Sequence, residues 1–302
     1  MVQEVVVKSV GRDMFTRSQI PAPLPEEEEG VVVRETRCRT ILNRCAISDY
    51  SLNCYTGCAH GCAYCYARLM QRFHPHDEPW GGFVDVKANA VETLERQLAR
   101  AKPGAVFVSS ACDGWQPIEA KRGLTRECCR VLLAHGFEVN VLTKSALVRR
   151  DFDILKHPNA TIGVTVTTLA EGTARLWEPK AASVEERFRV LEEAHKAGIS
   201  TTIMFGPLLP ELSDSEGSIE AMLARAGDAG VDRIWVDALN PRPRVWPSVA
   251  GLLRREFPEL RRRYSRVLFD PRVREEYLGE VHGRVERAAR KAGVADRVAG
   301  CM

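Results

Sequence analysis

Between about Ser48 and Asn240 the chain alternates short apolar runs with stretches whose apolar residues recur at helical spacing. Six runs read as strands: Tyr50–Asn53, Ala105–Ser110, Glu138–Lys144, Thr161–Thr168, Ser200–Gly206 and Arg233–Leu239. Most lack the polar alternation of a half-exposed sheet, which is the pattern of parallel strands covered on both faces. The helices between them have legible starts. Asn89 precedes Val91, Leu94 and Leu98, with Glu92 placed for a capping box; Ser183 with Glu186, and Ser213 with Glu216, repeat the arrangement. In each case the side-chain oxygen can accept a bond from an orphan amide of the first turn. Strand–helix crossovers of right-handed sense curl a parallel sheet toward a barrel. Six strands rather than eight predict an α/β fold, a partial (β/α)6 TIM-like barrel.

The barrel pattern occupies residues 41–240. Residues 1–40 read as an N-terminal extension, with a strand over Val5–Val10 and the Pro-rich segment Ile20–Pro25. Residues 241–302 form a basic C-terminal region, helical over 247–302. There is no internal repeat beyond the β/α alternation. At 302 residues, 45% hydrophobic and 27% charged, the chain has the composition of an ordinary soluble globular protein. No run approaches the roughly 18 apolar residues that a membrane helix needs. The opening MVQEVVVKSVGRD is too short and too charged in its apolar part for a secretory signal. A cytoplasmic address with no membrane partner is expected.

The net charge of +3 decides little, but its distribution is uneven. Residues 241–302 carry 15 Lys/Arg against 8 Asp/Glu, while Glu26 to Glu29 is an acidic run. The basic excess could contact phosphates, and equally fits solvated helix faces laced with Glu/Arg pairs. Ten cysteines in a chain without a secretion signal argue against a disulfide framework, and four of them fall between Cys54 and Cys65. Such clustering points to a metal or a cluster.

The motif itself is Asn53-Cys-Tyr-Thr-Gly-Cys58-Ala-His-Gly-Cys62-Ala-Tyr-Cys65-Tyr66. Three thiolates at Cys-x3-Cys-x2-Cys spacing can wrap one face of a cubane 4Fe–4S cluster. Electron-transfer clusters give each iron a cysteine, so three ligands, Cys58, Cys62 and Cys65, leave one iron open. A small molecule with an amino and a carboxylate group can chelate that iron. Gly57 and Gly61 permit the tight turns that bring three sulfurs together. Two other readings stand beside this one. A zinc site would need a fourth soft ligand, which His60 or Cys54 could supply. An electron carrier would use Cys54 as fourth cluster ligand.

With its place after the first strand of a β/α repeat, the motif resembles that of the radical S-adenosylmethionine (SAM) superfamily, and within it the spore photoproduct lyase-like proteins. The resemblance runs from about Cys38 to Asn240 and includes His60-Gly-Cys-Ala-Tyr-Cys-Tyr66, Gln116-Pro-Ile-Glu119, Thr143-Lys-Ser145 and Glu178-Pro179. It implies a 4Fe–4S cluster and SAM as cofactors, with a flavodoxin or ferredoxin as electron donor. It also implies reductive cleavage of SAM to methionine and a 5′-deoxyadenosyl radical that takes a substrate hydrogen. The cofactor carries the difficult chemistry, and the barrel binds, orients and excludes water.

Barrel active sites sit at the C-terminal ends of strands, which locates the other candidates. Lys144 closes the third strand; the resemblance makes it the partner of the SAM carboxylate, while a lysine snorkelling at the barrel rim would look the same in sequence. Thr167 and Thr168 match small polar residues that contact the SAM ribose or adenosyl portion, and they also suit a strand end by β propensity alone. Tyr66 is expected to contact SAM and could relay a hydrogen atom; Tyr64 is expected to pack and shield the cluster. Cys112 lies in the loop where photoproduct lyases keep a hydrogen-donating cysteine, although alignment through Asp113 puts the donor's place at Ser110. Cys112 either donates from a shifted position or is simply buried. Asp113 and Glu119 could bind substrate or fix that loop. Cys38, Cys45 and Cys54 could hold an auxiliary cluster or serve as redox thiols, and three buried small hydrophobes would look alike. Cys128 and Cys129 read as structural, and Cys301 as a loose terminal thiol.

Two substrate classes follow. Nucleic acid is one, with the Arg-rich C-terminal region gripping phosphates; the linear sequence shows no aromatic-plus-basic stripe of the kind single strands favour. A peptide, protein or small metabolite is the other. A non-enzymatic iron–sulfur electron carrier is the third reading.

Overall fold

The structure is a computed structural model that describes residues 26–28, 30–242 and 244–301. The strand expected at Val5–Val10 and the segment Ile20–Pro25 lie outside those residues. The strands are β1 (Glu26–Glu28), β2 (Val31–Thr36), β3 (Leu42–Arg44), β4 (Tyr50–Leu52), β5 (Tyr55–Thr56), β6 (Phe83–Lys87), β7 (Ala105–Val108), β8 (Glu138–Thr143), β9 (Ala160–Val166), β10 (Ser200–Leu208), β11 (Arg233–Ala238) and β12 (Val298–Cys301). The helices are α1 (Ala90–Leu98), α2 (Glu119–Arg122), α3 (Leu124–Ala134), α4 (Phe152–Leu155), α5 (Glu171–Trp177), α6 (Val184–Lys196), α7 (Glu216–Asp228), α8 (Val245–Glu256), α9 (Arg261–Phe269) and α10 (Pro271–Lys291).

The six expected strands are neighbours in one sheet, ordered β4, β7, β8, β9, β10, β11, and every adjacent pair is parallel. Val106, Val108, Val139, Ile162, Val164, Val166, Ile203 and Ile234 are fully buried along it. Packing on both faces explains why these runs show no polar alternation. Beyond the six, β12 adds in parallel to β11 and β3 pairs antiparallel with β4, so the sheet has two edges and the barrel stays open. A second sheet, β1-β2-β6-β5, lies outside the sequence expectation. Its strand β6 puts Phe83, Val84, Asp85 and Val86 all in the interior, and β2 pairs with it in parallel from within the stretch read as an extension.

Helix starts differ in an instructive way. Ser183 and Glu186 form both halves of the capping box at α6. Asn89 does not cap α1, because its side chain bonds the backbone of Cys38 and the hydroxyl of Thr93 instead. Ser213 accepts from the Leu209 amide, and α7 begins later, capped by Ser215, which accepts from the Ser218 amide. In the C-terminal region α8 and α9 are joined by the short 3-10 turn Pro258–Leu260, and α10 packs on α7. Among the described residues no helix is long and apolar enough to cross a membrane.

Candidate active site

The cysteine loop leaves β5 and runs into a short 3-10 helix, Tyr66–Arg72. Gly57 makes the first turn at φ +84°, and a Cβ there would stand 2.5 Å from the Phe83 carbonyl oxygen on β6. The second sheet therefore presses directly on the cysteine loop, and only glycine fits between them. The amides of Gly61 and Cys65 bond back to the carbonyls of Cys58 and Cys62. Side chains from elsewhere hold the loop in place. Gln116 accepts from the Ala59 amide at 2.8 Å and donates to the Gly57 carbonyl, while the Ala63 amide bonds the Trp177 carbonyl at 2.9 Å.

Cys58, Cys62 and Cys65 line one cavity of about 120 Å³ at the C-terminal ends of β7, β8 and β9. Tyr66, Ser110, Cys112 and Lys144 line it too, with His60, Phe107, Leu142 and Thr165. All three ligand thiols are pushed up by burial, Cys62 to about 12. Buried thiols of this kind give up their protons to a soft metal centre rather than to water. Among the described residues no three ligand side chains gather tightly enough for one ion. The alternative fourth ligands are committed elsewhere. Cys54 is buried with its sulfur 3.7 Å from that of Cys128, and His60 Nδ1 lies 3.3 Å from Asp113 Oδ2.

Asp113 joins three parts of the site. Its carboxylate meets His60 of the cysteine loop, accepts from the Thr143 hydroxyl at 2.7 Å and the Lys144 amide at 2.8 Å, and accepts from its own loop's Trp115 amide at 2.9 Å. Burial pushes its carboxyl up, but His60, the Lys144 amide and the Thr143 hydroxyl outweigh burial and hold it below the usual carboxylate range. Of the two roles open to Asp113, the geometry shows the loop-fixing one. Glu119 does the same one turn away, accepting from Tyr55 and from the amides of Thr125 and Arg126.

The loop after β7 turns sharply at Ser109, a left-handed residue at φ +74°. Asn53 then organises it, donating to the Ser110 hydroxyl at 2.9 Å and accepting from the Ala111 amide at 2.7 Å. The Cys112 thiol points to Asn53 Oδ1 at 3.7 Å, and burial pushes it up, so it stays protonated. Tyr66, 53% exposed, reaches over the cavity and donates to the Ser110 carbonyl. Lys144 sits with Nζ 5.6 Å from the Tyr64 ring centre; burial works against its charge, and Cys62 and Glu178 more than restore it. Tyr64 is buried, stacked on Trp177 and bonded to Glu178, which also pairs with Arg187 at 2.6 Å.

Thr167 and Thr168 are not brought to the cavity. Thr167 donates to Glu178, and Thr168 accepts from the Ala170 amide ahead of α5. Thr165, two residues earlier on β9, is the threonine that lines it. Cys38 packs on the main core beside Asn89, Cys54 faces Cys128, and Cys45 is partly exposed. Asn53 is the main organiser that sequence reading missed. It stands beside the motif, but its partners are 57 and 58 residues away.

The sequence profile of the radical SAM superfamily matches residues 52–237. An uncharacterised protein of Methanocaldococcus jannaschii is 32% identical over 170 residues, 56% of this chain and 64% of that one. An uncharacterised Mycobacterium bovis protein is 28% identical over 78% of this chain and 73% of its own, and the radical SAM Nalpha-GlyT isomerase of Pseudomonas phage M6 is 22% identical over 78% and 50%. Among solved structures, spore photoproduct lyase complexed with dinucleoside spore photoproduct superposes at a TM-score of 0.63, covering 89% of this chain and 81% of that one at 12% identity. A mutant of the same enzyme with bound AdoMet and dinucleoside spore photoproduct gives 0.64, with 92% and 86% covered at 14% identity. These likenesses show a shared fold. The superfamily implies a 4Fe–4S cluster and SAM, and the donor set around the cavity fits both. The chain belongs to the radical SAM superfamily.

Proposed function

We propose that this chain is a SAM-cleaving enzyme that returns a hydrogen atom from Cys112 to a nucleic-acid substrate. The carrying observation is one cavity lined by Cys58, Cys62 and Cys65 together with Lys144 and Cys112. When bound through Cys58, Cys62 and Cys65, the cluster with SAM supplies a 5′-deoxyadenosyl radical. Lys144 would offer its positive charge to the carboxylate of SAM, and Tyr66 and Ser110, which line the same cavity, would contact the rest of it. Tyr64, Trp177 and Glu178 back this wall and keep water out. Cys112 must be a thiol to give a hydrogen atom to a carbon radical, and its burial keeps it one. The nucleic-acid reading draws on the fold shared with an enzyme solved with a dinucleoside photoproduct. A flavodoxin or ferredoxin is the proposed reductant.

The test is EPR of the reduced, anaerobically reconstituted protein with and without SAM, followed by product analysis. A SAM-dependent change in the cluster signal with 5′-deoxyadenosine formed is expected. A signal indifferent to SAM would mean a fully ligated cluster and favour electron transfer.

A further inference from the structure

The linear sequence shows arginines and aromatics scattered through residues 241–302, with no stripe. The fold makes one. Because α8 and α9 run as an antiparallel hairpin, Trp246 in the first turn of α8 meets Phe269 at the end of α9, ring centres 5.4 Å apart and edge to face. Phe269 is 51% exposed, although a ring of that size gains by burial. Arg262, Arg266 and Phe269 stand at i, i+4 and i+7 of α9 and so share a face about 10 Å long. Arg242 and Arg244 lie just before Trp246. Among the described residues the guanidinium groups of Arg242, Arg244, Arg262 and Arg266 make no hydrogen bond to the protein and no ion pair, and all four are exposed. Elsewhere in the region Arg263 pairs Glu211, Arg284 pairs Glu280, Arg287 pairs Glu216 and Lys291 pairs Glu220, while Arg254, Arg261 and Arg272 are likewise exposed and without an ion pair among the described residues.

We infer that this line, from Arg242 through the Trp246–Phe269 pair to Arg266 and Arg262, binds single-stranded nucleic acid. The inference rests on the nucleic-acid reading of the substrate and adds the surface and the strandedness. The arginines neutralise phosphates. The ring pair offers a face and an edge on which an unpaired base stacks, which a paired base cannot use without leaving its helix. An acidic protein would answer to the arginines but would have no use for the rings.

The experiment uses the full-length, cluster-loaded protein and fluorescence anisotropy with a labelled twelve-nucleotide oligothymidylate and a duplex of the same length. The expected result is tighter binding of the single strand. Arg262→Glu with Arg266→Glu weakens it at least about tenfold and flattens the log–log salt slope by about 1.4. Trp246→Ala and Phe269→Ala each weaken it roughly 5- to 100-fold; Phe269, being exposed, is the variant that leaves folding untouched, as circular dichroism would verify. Unchanged affinity in the arginine pair overturns the inference, as does loss in that pair with no effect of Phe269→Ala, or equal binding of duplex. Formation of 5′-deoxyadenosine without substrate is read on the same samples. Binding as described in a protein that forms none would sink the radical reading and leave this surface standing.

Discussion

Asp113 keeps its charge although it is buried, and that has a pH signature. Its folded pKa is depressed, so its contribution is complete above the unfolded value of about 3.9 and is lost as pH falls through the folded value. Asp113→Asn should therefore destabilise the protein at neutral pH by about 3–5 kcal/mol. The difference in Tm should narrow below about pH 4; a gap that widens there would contradict the assignment. Cys62→Ala should abolish iron loading, and normal iron content in that variant would disprove its role as a ligand. Cys112→Ala should keep its iron and form 5′-deoxyadenosine within about twofold of the parent, while mass spectrometry shows substrate radicals diverted to other products. An unchanged product distribution would end the donor role. In these residues the sequence was legible where chemistry is local. The three ligands share one short loop and read out directly. Asn53 and Asp113 act through partners 30 or more residues away, and no pattern along the chain marks such pairs.

At the scale of elements, the capped and uncapped helices make opposite predictions. Ser183→Ala removes the bond that starts α6 and should cost about 1 kcal/mol, read as a small fall in Tm. Asn89→Ala breaks no bond to α1's own amides, so its cost should appear instead as faster amide exchange around Cys38, whose N–H it holds at 2.8 Å. The six parallel strands were legible because burial on both faces leaves runs without polar gaps. The second sheet was not, since β5 has two residues and β6 carries Asp85 in its middle. That aspartate is tolerated inside because His76 Nε2 stands 3.0 Å from it. Trp246 and Phe269 illustrate the same limit, being 23 residues apart in sequence and joined only by a hairpin.

For the whole molecule, the open barrel depends on how its edges are finished. β12 covers β11, and Gly300 is needed there because a Cβ would stand 2.7 Å from the Trp235 ring. Removing residues 298–302 should uncover both that ring and an apolar strand edge, and light scattering should report association. A monodisperse truncated protein would show that β12 is dispensable as a cover. At the other end of the strands the closure is slighter. Tyr66 spans the cavity to Ser110 through one hydrogen bond, which nets about 0.5–1.5 kcal/mol. If that bond alone held the ring down, it would be lifted in roughly a tenth to a third of molecules at any moment. Entry would then be limited by how often a ligand arrives, and whatever occupies the cavity need spend almost none of its affinity on the door.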